Sequence, residues 1–188
     1  MKTPVILLSA TALCILTAAG VTAEKKFNRT ELFLKLGSAN EAIADTAMYR
    51  LAAIGQPAVD ELLQLIWSSN RRKSEKAAVT LSLIANPEKK VVPGLVRALK
   101  AGPARVRENA SWSLSMLGGK AKDAIPVLIS SLKDSNRNVR FHSIWALSEM
   151  GISAKGAIPY ILALRHERDI YIKDSVTYAV NKIRTARF

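Results

Sequence analysis

Cysteine is nearly missing from this chain of 188 residues: Cys14 stands alone, inside the apolar N-terminal run. A chain cut after Ala23 would carry no thiol. That excludes a disulfide framework, cysteine-held metal and thiol chemistry, and leaves packing to hold the fold. Histidine is almost as scarce, with only His142 and His166, and aromatic residues make up 6%. A Gly-rich phosphate loop, HExxH and GxSxG are all missing, so the common signatures of phosphate-binding, zinc-protease and serine-hydrolase sites are excluded. Acid is short as well. Against 28 Lys and Arg stand 15 Asp and Glu, a net charge of +13. A balance of this sign attracts acidic partners and polyanions.

Lys2 is the one charge in the first 23 residues. Pro4 to Ala19 is apolar or small, and Val21-Thr22-Ala23 places small residues at the cleavage positions before Glu24. Residues 1–23 therefore read as a signal peptide, with an uncleaved N-terminal anchor over residues 4–23 as the alternative. Either way the expected address is outside the cytoplasm, periplasmic or secreted. Thr11-Ala12-Leu13 is a poor lipobox for Cys14. Residues 24–37 read as a lead-in and a short capping helix, with Asn28 or Thr30 as its N-cap and Leu32, Phe33 and Leu36 as its apolar side.

The strongest signal is a repeat. Val106 to Leu132 recurs 33 residues on as Val139 to Arg165, with Arg107/Arg140, Trp112/Trp145, Leu114/Leu147, Gly118/Gly151 and Ile125-Pro126/Ile158-Pro159 in register. A fixed period of this size means stacked supersecondary units. Within each unit the apolar spacing describes two helices. First helices are read from Ile43, Ala47, Leu51 and Ile54, and then from Ala77, Leu81 and Ile84; second helices from Val59, Leu62, Leu63 and Ile66, and then from Val92, Leu95, Val96 and Leu99. Small residues at one row (Ala47, Ala77, Ala110, Ser143) allow close helix approach, and Pro93, Pro126 and Pro159 sit in the first turn of the second helices. One such pair cannot bury its own apolar faces, so neighbours must cover them. The stripe Ile172, Val176, Val180 and Ile183 starts a fifth unit and expects a further helix. An open C-terminal end of this kind, unless covered by Phe188, implies self-association into a homo-oligomer.

The pattern VR-x2-A-x3-L-x2-LG followed by AIP-x-L-x2-L resembles the HEAT-like repeat of the PBS-lyase type, within the armadillo/HEAT superfamily. The resemblance covers residues 38–188, with the third and fourth repeats matching best. It implies an all-α fold, a right-handed α-solenoid of stacked helical hairpins, about four and a half repeats long. It also implies a scaffold that binds a protein or peptide, with no cofactor, metal or catalytic residue. Two other relatives of this repeat type are enzymes. Deoxyhypusine hydroxylase resembles a set of four His-Glu pairs holding two irons, whereas this chain has the single pair His166-Glu167. Phycobilin lyases share the repeat, but their chemistry is not readable here. A lyase-like enzyme or accessory subunit, or a polyanion or nucleic-acid binder, is the alternative reading. Nucleic acid fits poorly with export.

Four sets of residues are candidates for function. Arg107 and Arg140 occupy a helix-start position; Asp134 lies six residues before Arg140 and Glu167 six before Lys173, and such pairs are expected to bridge successive repeats, ligand binding by the arginines being the other reading. The row Tyr49, Trp112, Trp145 and Tyr178 is either stacking between first helices or an exposed aromatic strip. On the second helices, expected to line the concave side, three rows are read: Gln64, Arg97, Ser130, Ala163; Trp67, Lys100, Lys133, His166; and Glu61, Gly94, Val127, Tyr160. Trp67, Arg97, Lys100, Lys133 and Tyr160 are the expected partner-binding residues. Basic clusters such as Arg71-Arg72-Lys73, Lys89-Lys90 and Lys120/Lys122 fall at turns and are expected to form basic edges. The expected partner is an acidic protein or peptide, with an anionic envelope polymer or lipid headgroup as the other fit. His142 is expected on the outer surface of its helix.

Overall fold

The structure is a computed structural model that describes residues 28–186. The expected targeting segment, Cys14 and the C-terminal Phe188 lie outside the described residues. Among the described residues every regular element is helical. The α-helices are α1 (Arg29–Lys35), α2 (Glu41–Ile54), α3 (Val59–Leu65), α4 (Arg71–Leu83), α5 (Val91–Ala101), α6 (Ala104–Leu117), α7 (Ile125–Ser131), α8 (Arg137–Glu149), α9 (Ile158–Leu162) and α10 (Ile170–Thr185). The pairs α2–α3, α4–α5, α6–α7 and α8–α9 are the four hairpins, α1 caps one end, and α10 is the first helix of the next unit.

The local chemistry repeats with the period. Asn40, Asn70, Asn136 and Asp169 each accept a hydrogen bond from the first turn of α2, α4, α8 and α10 through a side-chain oxygen. This satisfies donors that a helix start leaves open. Pro103 holds the same place before α6 without a side-chain cap. First helices end where φ turns positive, at Gly55, Gly118 and Gly151 (φ 71°, 53° and 56°). Only glycine enters that region freely. In the second hairpin α4 ends at Leu83 with Ile84 extended, and the positive φ comes two residues later, at Asn86 (52°), as asparagine can adopt. Short 3-10 segments, Gly118–Ala124 and Gly151–Ala157, then carry the chain into α7 and α9.

Successive first helices pack on one another, α2 on α4, α4 on α6, α6 on α8 and α8 on α10, forming the denser layer. One continuous apolar core runs from Leu32 to Ile183 between this layer and the second helices. Small residues at the expected row (Ala47, Ala77, Ala110, Ser143) are all fully or nearly buried. Polar groups also cross the layer. Asn109 donates to the Ser74 hydroxyl at 2.5 Å, and Ser113 donates to the Ala78 carbonyl at 2.6 Å. Buried donors without such partners would be costly.

Two expectations about the core need correction. Ile43 and Ile54 are exposed, and Ala44, Ala47, Met48 and Leu51 face inward on α2 instead. At about 100° per residue the two isoleucines lie roughly 80° from the centre of the buried arc, at its border. The stripe Ile172, Val176, Val180 and Ile183 is buried, with Val180 the most accessible at 5%. It is covered by α8, α9 and the turns around them, against which α10 packs. The apolar end expected to drive a homo-oligomer is therefore already used within the chain. What stays exposed at α10 is Ile170, Tyr171 and Tyr178.

Candidate binding face on the second helices

Most ionic chemistry is consumed within the first-helix layer. Arg107 grips both oxygens of Asp134 through Nε and Nη2 at 2.7 and 2.8 Å. One repeat on, Arg140 reaches Glu167 at 3.1 Å and also donates to the Asp134 carbonyl. Each arginine thus binds the acid 27 residues ahead, at the entrance to the next repeat. The expected bridges exist with other partners: Arg107 rather than Arg140 takes the Asp134 carboxylate, and Arg140 rather than Lys173 takes Glu167. The Arg107 guanidinium holds Asp134 below the usual carboxylate range, against a desolvation that opposes it. Lys76 binds Glu41 and Asp45, Arg137 binds Asp169, and Lys182 binds Glu149.

These contacts also consume much of the expected basic edge. Arg71 pairs with Glu75, Arg72 binds the Ser38 and Ala39 carbonyls, Lys90 pairs with Asp60, and Arg105 donates to the Ser68 carbonyl. Lys89, Lys122 and Lys155 remain exposed without a partner, at one position of the inter-helix turn in three successive repeats. Lys155 belongs to this row by the 33-residue spacing alone, and the period was the signal that could have found it.

One step of the aromatic row stacks between repeats. Trp145 lies on Tyr178 with ring centroids 5.1 Å apart and planes at 8°, and Phe141 adds a second offset stack on Trp145. Trp112 and Trp145 are half-buried, so no continuous exposed strip forms. His142 departs from its expected outer position. It is half-buried edge-on to Phe141, and burial pushes its imidazole below the ordinary value. His166 accepts from Arg165, while the Glu167 carboxylate is held by Arg140. The His166-Glu167 pair is thus divided between different neighbours. Among the described residues no group of three or more His, Cys, Asp or Glu is placed to hold a metal.

The second-helix face is different. All five expected partner-binding residues are exposed there: Trp67, Arg97, Lys100, Lys133 and Tyr160. Arg97, Lys100 and Lys133 make no ion pair or side-chain hydrogen bond. α5, α7 and α9 carry no acidic residue. Gln64, Ser130 and Ala163 are exposed beside them, completing the first row as expected. The third row is corrected except at Tyr160. Glu61 is tied to Arg29 at 2.7 Å, Val127 is buried, and Gly94 is covered by Leu63. A Cβ on Gly94 would clash with a Leu63 methyl, so this glycine lets α5 close on α3. At the N-terminal end of the face an open cavity of about 520 Å³ lies between α1 and α3, with Phe33, Leu65 and Trp67 among its walls.

Stacked helical hairpins with this internal period are matched by the family of HEAT repeats over residues 92–181. This chain is a HEAT-like repeat protein. Solved structures share its architecture. A chain of the CpcE–CpcF complex of phycocyanin lyase from Nostoc sp. PCC7120 is 20% identical, with 80% of this chain and 96% of that chain covered and a TM-score of 0.65. A designed armadillo repeat protein, solved with the peptide (KR)4, is 17% identical over 81% of this chain and 80% of that one, with a TM-score of 0.55. Human deoxyhypusine hydroxylase is 16% identical over 83% and 62%, with a TM-score of 0.56. These likenesses concern the fold of the HEAT-like solenoid. No curated protein sequence is similar enough to count as a relative.

Proposed function

We propose that this HEAT-like protein is an exported, non-enzymatic scaffold that holds an acidic protein or peptide segment on its second-helix face. The observation that carries the reading is the contrast in charge use. In the first-helix layer Glu41, Asp45, Asp134, Glu149, Glu167 and Asp169 are all bound to cations. On the second helices Arg97, Lys100 and Lys133 stand in solvent with nothing to neutralise them. Uncompensated charge of one sign along a face steers partners of the other sign. An enzymatic or lyase-like role would need a convergent acid–base pair on this face, and the second helices from α5 to α9 contribute no acid to one.

The test is fluorescence anisotropy with a labelled glutamate-rich octapeptide at low salt. The full chain should bind it, and the combined variant Arg97→Ala, Lys100→Ala, Lys133→Ala should bind about tenfold more weakly or worse, with an unchanged helical circular dichroism spectrum. Equal binding by the variant overturns the reading. Export is checked separately, by sequencing the N-terminus of the protein recovered from the envelope or medium. Glu24 is the expected first residue, and an intact Met1 supports the anchor over residues 4–23.

A further inference from the structure

The cavity at the N-terminal end of the face has a composition unlike the rest. Phe33, Leu65 and Trp67 supply apolar wall, and Gln64 lies at its edge. Its one charged pair is internally neutral, since Arg29 Nη2 donates to Glu61 Oε1 at 2.7 Å and Arg29 Nη1 to the Pro57 carbonyl at 3.1 Å. That double contact fastens α1 over α3 and makes the cavity a wall between two elements. Trp67 is 47% exposed, a large apolar side chain left in water beside an opening. An aromatic wall next to a space of this size suits one large apolar side chain.

Trp67 also has a register. It occupies the same position of α3's end that Lys100 and Lys133 occupy one and two repeats on. Neighbouring packed helices lie about 10 Å apart, and an extended chain rises about 3.3 Å per residue. One repeat step therefore corresponds to about three residues of an extended ligand. We infer that the cavity is an anchor subsite for an aromatic side chain, and that the face reads an extended acidic segment with carboxylates three and six residues from that anchor. Lys100 takes the first carboxylate with Arg97 one helical turn away, and Lys133 takes the second. This inference rests on the acidic-segment reading of the face and adds to it an anchor, a spacing and a fixed end.

The experiment uses the full chain and short labelled peptides in anisotropy. The reference peptides carry one Trp with Glu at the third and sixth positions from it, made in both chain directions. Replacing that Trp by Ser should weaken binding of the better direction about tenfold. Moving both Glu next to the Trp should weaken it several-fold. In the Trp67→Ala chain the Trp and Ser peptides should bind alike, and the Ser peptide should bind as it does to the unaltered chain. If the Ser peptide binds the unaltered chain as tightly as the Trp peptide, the anchor is overturned while the acidic-segment reading stands. If both spacings bind equally, the register is overturned. If no acidic peptide binds, the underlying reading falls first and takes the anchor with it.

Discussion

The two layers of this solenoid use the same residue types for opposite ends. In the first-helix layer Arg107 is held bidentate and partly buried, and it and Asp134 keep only 20% and 10% of their side-chain surface. On the second helices the basic side chains are free and carry no structural load. The difference teaches that net charge alone is a poor guide to a binding surface. Several cations here, Lys76, Arg105, Arg107, Arg137, Arg140 and Lys182 among them, hold repeats together or satisfy a backbone carbonyl, and the proposed recognition falls to cations without such a partner.

The comparison is broken hardest through the core that both layers share. Leu114→Ala empties a fully buried site on α6 and should cost about 3 kcal/mol in urea denaturation, as deletions of this kind do. A loss below about 1 kcal/mol would mean that the layers are not one cooperative unit.

Next comes the clamp. Arg107→Ala leaves Asp134 partly buried without its cation, and about 1–2 kcal/mol should be lost, a fully buried pair's cost being discounted for the solvent that remains. Mutating Lys133, which has no partner, should by contrast stay within about 0.5 kcal/mol. Equal effects at the two sites would erase the distinction between the layers.

The smallest effect is titration. Burial of His142 holds its imidazole below the ordinary 6.5 in the folded chain. The unfolded chain then takes the proton first, and stability is complete above about pH 6.5 and falls as pH drops below it. Asp134, also depressed, adds a second loss that sets in only below about pH 4. Urea midpoints between pH 7 and 5 should decline slightly, and His142→Gln should flatten that segment while leaving the deeper acid loss in place.

Much of the architecture was legible because it is written in local spacing. The period, the proline near the second-helix starts and the glycine after α2, α6 and α8 need only the chain's own stereochemistry. The five exposed residues of the second helices were also legible, since an accurate period places rows even before a structure exists. Other features were not. Ile43 looked like core, yet a helix's rotation about its axis is set by its neighbours. The fifth unit's stripe looked open, yet its cover comes from α8 and α9. The cavity beside Trp67 depends on how the capping helix lies across α3, a contact made by Arg29 some thirty residues away.

By itself, then, the sequence determined that the chain is a row of helical hairpins with a surplus of positive charge, because periodicity and capping act over a few residues. Only the tertiary structure decided which cations are spent and which are free. An ion pair between Arg107 and Asp134 spans 27 residues and exists only once successive repeats have docked.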